Sequence, residues 1–202
     1  MANSSHIPFR PGSFGRQDRA PGVVIREITD FALASVLARN GRSVAAATAA
    51  ESAFGVALPD RPRVVAGPGV EFIGTGPGQW LALAAPSATG IEAQIGAALP
   101  GLVSVFEQSD SRVLLEIGGE RVRDVLAKGV ALDLHPRAFG TGDAALTTVS
   151  HLAVQLWQTS DAPTYRLLTV RTYFGSFWHW LASSAAEFGA QVLEPKRYSS
   201  GS

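Results

Sequence analysis

The chain has 202 residues and a formal charge of zero, with 17 Lys plus Arg against 17 Asp plus Glu. It contains no cysteine, so disulfides, thiolate nucleophiles and cysteine-ligated zinc are excluded. The neutral balance argues against nucleic-acid binding, since such domains are usually strongly basic. Charged residues make up 17% of the chain, below the roughly 25% of an average soluble domain. This shortage favours a protein partner that buries surplus apolar surface.

The first 22 residues are rich in proline and glycine and predict an extended N-terminal arm, 1–22. The arm lacks the apolar core of a secretory signal, and no later run of about 18 apolar residues predicts a membrane span. We therefore expect no membrane association and a cytoplasmic location. Phe9 and Phe14 favour a strap that orders on a neighbouring subunit over an unattached tail.

The next segment, 23–108, reads as a first α+β sub-unit. Apolar runs predict strands at 23–28, 32–38 and 102–108, and a hairpin at 70–75 and 79–84 around Gly76-Pro77-Gly78. Two helices are predicted, one at 44–54 with Ser43 as N-cap and Gly55 as its end, the other from Ser87 to about Leu99. The proline- and glycine-rich stretch between the first helix and the hairpin predicts a loop.

A second sub-unit follows over 109–193. The predicted elements are a strand at 112–117, a helix at 120–128 ended by Gly129, an irregular segment at 132–139, one long strand or two broken near Ser150 at 144–158, a return strand at 165–170 and a final helix at about 172–188.

Both sub-units show the order β-α-β-β-α-β, the split βαβ arrangement. The sequence therefore predicts an α+β fold. Two βαββαβ-like units would form antiparallel sheets with helices packed on one side. The main domain would span 23–193, and residues 194–202 would form a tail.

No pattern of reacting groups is present. The four histidines are not spaced as metal ligands, there is no G-x-S-x-G nucleophile motif, and no glycine fingerprint for a dinucleotide opens a helix. We therefore predict no catalytic residue, no cofactor-binding residue and no metal site on this chain.

Candidate interface residues lie in two later segments. His135 and Arg137 flank a proline in the irregular segment, where they suit a carboxylate or a partner's carbonyl; a structural ion pair is the alternative. Tyr173 and Trp180 lie off the apolar stripe of the final helix and suit an interface anchor; cover by neighbouring loops is the alternative.

The motifs at 104–110, 119–129 and Leu132-Asp133-Leu134-His135-Pro136-Arg137-Ala138-Phe139, with Phe177-Trp178-His179-Trp180-Leu181 near the end, resemble the gamma subunits of heterotetrameric sarcosine oxidases. The resemblance covers about residues 23–193. The remaining pattern is similar to the wider aminomethyltransferase-like, folate-binding domains.

The resemblance implies a complex that oxidatively demethylates sarcosine to glycine and forms hydrogen peroxide. The partners would be alpha, beta and delta subunits, which would carry FAD, FMN, NAD, tetrahydrofolate and zinc. This chain would carry no cofactor and would brace the flavin- and folate-carrying subunits. A freestanding folate or one-carbon binder of the same fold is the alternative, and a scaffold without a small-molecule ligand is a third.

Overall fold

The computed structural model describes residues 10–199. The strands are β1 Gly12–Phe14, β2 Val23–Thr29, β3 Ala32–Ala38, β4 Val64–Gly67, β5 Val70–Gly76, β6 Gln79–Ala84, β7 Val103–Glu107, β8 Arg112–Gly118, β9 Ala144–Val149, β10 Leu152–Ser160, β11 Thr164–Val170, β12 Ala190–Val192 and β13 Lys196–Arg197. The α-helices are α1 Ser43–Phe54, α2 Ile91–Ala98, α3 Val122–Ala127 and α4 Phe174–Ala186. Short 3-10 turns occupy Ser109–Ser111 and Arg171–Tyr173.

The first compact unit is built on residues 30–110 and contains an antiparallel sheet in the order β4-β5-β6-β3-β7. Helices α1 and α2 cover one face of this sheet. Their buried residues, such as Ala50 and Ile95, join Phe72 and Trp80 in one apolar core. The indole nitrogen of Trp80 donates a hydrogen bond of 2.7 Å to the carbonyl oxygen of Pro59, which satisfies its polar atom beside the core.

The second unit combines the described residues 10–29 with residues 111–196. Its sheet runs in the order β1-β12-β2-β8-β11-β10-β9, with β13 paired to β2 beside this path. Helices α3 and α4 supply Val125, Phe177 and Leu181 to a core that also contains Leu115 and Leu167 of the sheet. The alternation of apolar residues in β8 explains why one face of that strand enters the core.

The two units share one order of elements, β-α-β-β-β-α-β, with one strand more between the helices than the predicted split βαβ order has. In the first, a strand, a helix, a three-strand meander, a second helix and a final strand follow in sequence, and the second unit repeats this from β8 to β12. The difference is β2, which lies between β8 and β12 and pairs in parallel with β12. The predicted α+β class, with antiparallel sheets and helices on one side, is confirmed.

The position of β2 differs from the sequence-based division at residue 108. That division groups β2 with the first sub-unit, because β2 and β3 are adjacent in the chain. The structure pairs Ile25 with Ile117 of β8 and places β2 in the second unit. Non-local pairing outweighs chain proximity here, since β2 buries Val23 and Ile25 in the second core.

Part of the predicted arm has a partner in its own chain. Strand β1 pairs antiparallel with β12, with Ser13 opposite Gln191. Farther on, the N–H of Gly22 donates to the carbonyl oxygen of Phe188 at 3.0 Å. Strand β1 of the arm therefore forms one edge of the second sheet.

Both predicted serine caps are wrong. Arg42 is the N-cap of α1, because its carbonyl oxygen accepts the first helical hydrogen bond from the N–H of Ala46 at 2.8 Å. Gly90 takes this place in α2, and the Ser87 hydroxyl contacts Thr89 instead. A predicted feature that holds is Gly55, which ends α1 in the left-handed conformation at φ 72°.

The predicted loop before the hairpin contains a strand that the sequence analysis missed. β4 pairs with β5, with Val65 opposite Phe72. Of the two alternatives left open for 144–158, the structure has two strands, because Ser150 and His151 adopt φ values of 47° and 71° between β9 and β10. Two consecutive positive φ values are typical of the tight turns that join twisted hairpin strands.

Candidate interaction surface

The segment with His135 and Arg137 is a turn held at both ends. Leu134 and Phe139 are buried in the core of the second unit, whereas the four residues between them are exposed. The N–H groups of Ala138 and Phe139 both donate to the carbonyl oxygen of His135, at 2.8 and 3.0 Å. Two apolar anchors thus present a short polar turn at the surface.

Further hydrogen bonds fix the conformation of this turn. The Asp133 carboxylate accepts a bond of 2.9 Å from the N–H of His135, and the His135 Nδ1 accepts one of 3.2 Å from the N–H of Arg137. Nδ1 is therefore an acceptor, and the proton of the neutral ring lies on Nε2. The turn presents an imidazole N–H and a guanidinium, which are both hydrogen-bond donors.

Tyr173 and Trp180 have different environments. Tyr173 lies in the 3-10 turn before α4, and 57% of its surface is exposed. Trp180 is partly buried, with its ring centroid 5.9 Å from that of Phe177. Of the two, Tyr173 has the more accessible ring for a partner, and the indole of Trp180 packs mainly on its own unit.

Of the two arm phenylalanines, the structure describes Phe14 alone, and Phe9 lies outside the described residues. The Phe14 ring packs edge-on against Trp178, with 6.2 Å between centroids. Phe14 thereby attaches β1 to the second core of its own chain. Its role as an interface residue stays a prediction, since only part of the side chain is exposed.

Titratable groups with shifted pKa values are few. Burial raises the pKa of Tyr165 above its usual value of 10.0, and the nearby Arg123, whose Nε donates to the Tyr165 hydroxyl at 3.0 Å, acts in the opposite direction. Burial also lowers the pKa of Arg112. Across residues 10–199 no group of three or more His, Asp or Glu side chains is arranged to hold a metal ion.

One exposed aromatic residue escaped the sequence analysis. Phe106 of β7 is 55% exposed. The alternation along the strand signals this, because Val103 and Val105 join the helix-covered core whereas Ser104 and Phe106 point to the other face. An aromatic residue in phase with polar neighbours is an interface candidate.

Every helix within residues 10–199 falls short of the length and hydrophobicity that a membrane crossing requires.

Comparison with known proteins places the chain in a family. The model of the sarcosine oxidase, gamma subunit family matches residues 39–187. The sarcosine oxidase subunit gamma of Arthrobacter sp. is 37% identical over 178 residues, covering 86% of this chain and 85% of that protein. The protein of the same name from Corynebacterium sp. (strain P-1) is 36% identical over 176 residues, covering 85% of this chain and 84% of that protein.

Solved structures agree with this placement. A chain of the heterotetrameric sarcosine oxidase from Corynebacterium sp. U-96, in complex with pyrrole 2-carboxylate, matches with a TM-score of 0.74 at 28% identity, covering 87% of this chain and 88% of that one. Aminomethyltransferase T of the glycine cleavage system from Bartonella henselae matches with a TM-score of 0.60 at 12% identity, covering 87% of this chain and 48% of that one, which shows a shared fold. The chain belongs to the sarcosine oxidase gamma subunit family.

Proposed function

We propose that this chain is the gamma subunit of a heterotetrameric sarcosine oxidase and that its work is assembly. The likeness to a chain of the Corynebacterium heterotetramer, over 87% of this chain, is the observation that carries the proposal. In this reading the chain braces alpha and beta subunits that carry FAD, FMN, NAD and tetrahydrofolate, and a delta subunit carries zinc. The chain itself supplies contact surface and no reacting group.

The anchored turn at 134–139 supports a binding role. Its two exposed donors, the His135 imidazole and the Arg137 guanidinium, suit a carboxylate or backbone carbonyls of a partner. The backbone bonds within the turn fix the backbone from which these side chains project, which lowers the entropy cost of forming a contact. Tyr173 adds an exposed aromatic ring with few rotatable bonds.

The reaction of the complex would be the oxidative demethylation of sarcosine to glycine with formation of hydrogen peroxide. The chemistry would take place on the flavin-carrying subunits. The gamma subunit would affect the rate only through the amount and stability of the assembled enzyme. Its variants should therefore change the yield of complex and leave the turnover of each intact complex unaltered.

The test is co-expression of this chain, carrying an affinity tag, with the alpha, beta and delta subunits from the same source. The tag should recover all four chains with flavin absorbance and with peroxide formation from sarcosine. The chain purified alone should be colourless and should not oxidise sarcosine. Oxidation of sarcosine by the chain alone, or recovery without any partner, would contradict the proposal.

The chain purified alone also tests the alternative, a freestanding folate binder. Tetrahydrofolate added to the isolated chain should leave its melting temperature unchanged if the chain is an assembly subunit. A concentration-dependent rise would favour the folate binder, because a ligand that binds the folded state alone stabilises it by mass action.

A further inference from the structure

Strand β7 forms one edge of the first sheet, and no strand among the described residues pairs with its outer side. Every second residue from Leu102 to Gln108 forms its backbone hydrogen bonds with β3. The N–H of Arg39 donates to the carbonyl oxygen of Leu102 at 2.9 Å, and the N–H of Gln108 donates to that of Leu33 at 2.7 Å. In an antiparallel ladder the residues in between direct their backbone groups outward. The backbone groups of Val103, Val105 and Glu107 therefore face away from β3.

This edge opens into a groove of about 800 Å³ between β7 and α2. The helix contributes Glu92, Ala93 and Gly96 to the wall of the groove. Gly96 lies mid-helix, where glycine costs about 1 kcal/mol relative to alanine, and a Cβ placed there would meet no atom within 4 Å. The small residues Ala93 and Gly96 leave room for a further chain beside the strand.

The ends of the groove differ in charge. Arg39 lies at the end where β7 begins, and its Nε contacts the carbonyl oxygen of Val103 at 3.4 Å. Glu107 lies at the end where β7 finishes, together with Glu92 in the first turn of α2. The groove is therefore basic at one end and acidic at the other.

We propose that this groove binds an extended segment of another subunit, which adds to the sheet as a strand antiparallel to β7. The segment would carry a basic residue on its N-terminal side, opposite Glu92 and Glu107. It would carry an acidic residue or a terminal carboxylate on its C-terminal side, opposite Arg39. An apolar side chain in its middle would lie over Gly96. Backbone bonds supply affinity in this mode of binding, and side-chain pockets supply selectivity.

Phe106 supports this choice of occupant. Phe106 lines the groove, and 55% of the residue is exposed. Its side chain alternates along the strand with those of Val103 and Val105, which join the helix-covered core. A strand added at the edge would place alternate side chains next to Phe106. Exposed edge strands also invite unwanted pairing. β7 contains neither proline nor lysine, and Arg39 covers the carbonyl of Val103 at one end, so an occupant explains why the rest of this edge is open. The proposal rests on the assembly function proposed above.

The test fills the groove without disturbing the helix. Gly96→Phe places a ring in open space, and the matched control is Ala97→Phe, because Ala97 is exposed on the same helix and does not line the groove. Each tagged variant is co-expressed with the other subunits. We expect Gly96→Phe to reduce recovery of the partners by at least about tenfold, whereas Ala97→Phe should recover them as the unchanged chain does.

A second pair of variants keeps the test decisive should Gly96→Phe fail to fold. Arg39→Glu reverses the charge at the basic end, and Arg42→Glu is its control at a nearby exposed position outside the groove. Partner recovery should fall several-fold for Arg39→Glu alone. Normal recovery with both Gly96→Phe and Arg39→Glu overturns the groove proposal and leaves the assembly function intact.

The remaining outcomes are distinct. If the unchanged chain recovers no partner, the assembly function itself fails. If the chain alone forms a dimer that Gly96→Phe dissociates, the occupant is a second copy and the proposed partner is wrong. Hydrogen exchange supplies a direct readout, since the amides of Val103, Val105 and Glu107 should exchange at least about tenfold more slowly in the complex than in the isolated chain. Unchanged exchange at these amides also overturns the proposal.

Discussion

The indole ring of Trp180 lies directly on Gly129. A Cβ added to Gly129 would come within 2.7 Å of three ring atoms of Trp180. The sequence predicts Gly129 as the end of a helix, but α3 ends at Ala127 with Lys128 as C-cap, in the right-handed conformation. Glycine is needed at position 129 because the Trp180 ring approaches the backbone so closely that a Cβ does not fit. The conformational freedom of glycine is not the reason.

This contact predicts a strong coupling between the two residues. Gly129→Ala should destabilise the chain by about 1–3 kcal/mol, since the ring is also packed against Phe177 and cannot retreat freely. In a chain that already carries Trp180→Ala, Gly129→Ala should leave the free energy of unfolding almost unchanged. Chemical denaturation of the four proteins of the cycle measures the coupling. Additive losses would show that the ring moves away from Gly129 without cost.

Tyr173 is the exposed aromatic residue near α4, so its truncation should separate stability from assembly. Tyr173→Ala should change the free energy of unfolding by less than about 0.5 kcal/mol and weaken partner binding by about 1 kcal/mol or more. Leu146→Ala is the matched control, because Leu146 is also an exposed apolar residue, at 62%. Equal partner recovery by the two variants would remove Tyr173 from the interface.

The turn at 134–139 predicts a charge-dependent contact. Arg137→Glu should reduce partner recovery and leave the melting temperature within about 2 °C, because the guanidinium is exposed and makes no ion pair that stabilises the described fold. Arg61→Glu, at another exposed arginine, is the control for net charge. Pull-down at low and high salt measures the effect, since screening weakens a contact between exposed charges.

The raised pKa of Tyr165 predicts a loss of stability at alkaline pH. Above about pH 10 the unfolded chain releases the phenolic proton and the folded chain retains it. The unfolded state then binds fewer protons, so the free energy of unfolding falls as pH rises through this window, while below it Tyr165 contributes no pH dependence.

Tyr165→Phe should flatten that alkaline decline. Tyr165→Phe should also lower the free energy of unfolding by about 1 kcal/mol near neutral pH, because it removes the hydroxyl that accepts a hydrogen bond from Arg123. Tyr173→Phe is the control, because its ring is exposed. Denaturant titrations from about pH 8 upward check this, and an unaltered slope in Tyr165→Phe would show that other groups cause the decline.

The local elements were largely predictable. The hairpin around Pro77-Gly78 and the stripe of Phe177 and Leu181 in α4 follow from periods of two and of 3.6 residues, which short windows of sequence contain. The segment 132–139 was predicted as irregular, and it contains the turn at 134–139, in which His135 and Arg137 are exposed. The hydrogen bonds that fix that turn were not visible in the sequence, because they depend on the positions of Leu134 and Phe139 in a distant core.

The amino-acid sequence by itself determined the class of fold, the lack of thiol chemistry and the family likeness, since these depend on composition, periodicity and distinctive motifs. Tertiary structure alone decided that β2 joins the second sheet, that Trp180 rests on Gly129 and that β7 is left as an open edge beside α2. The physical reason is that strand pairing and close packing are set by residues far apart in the chain. A short window of sequence encodes the shape of an element but not its neighbour.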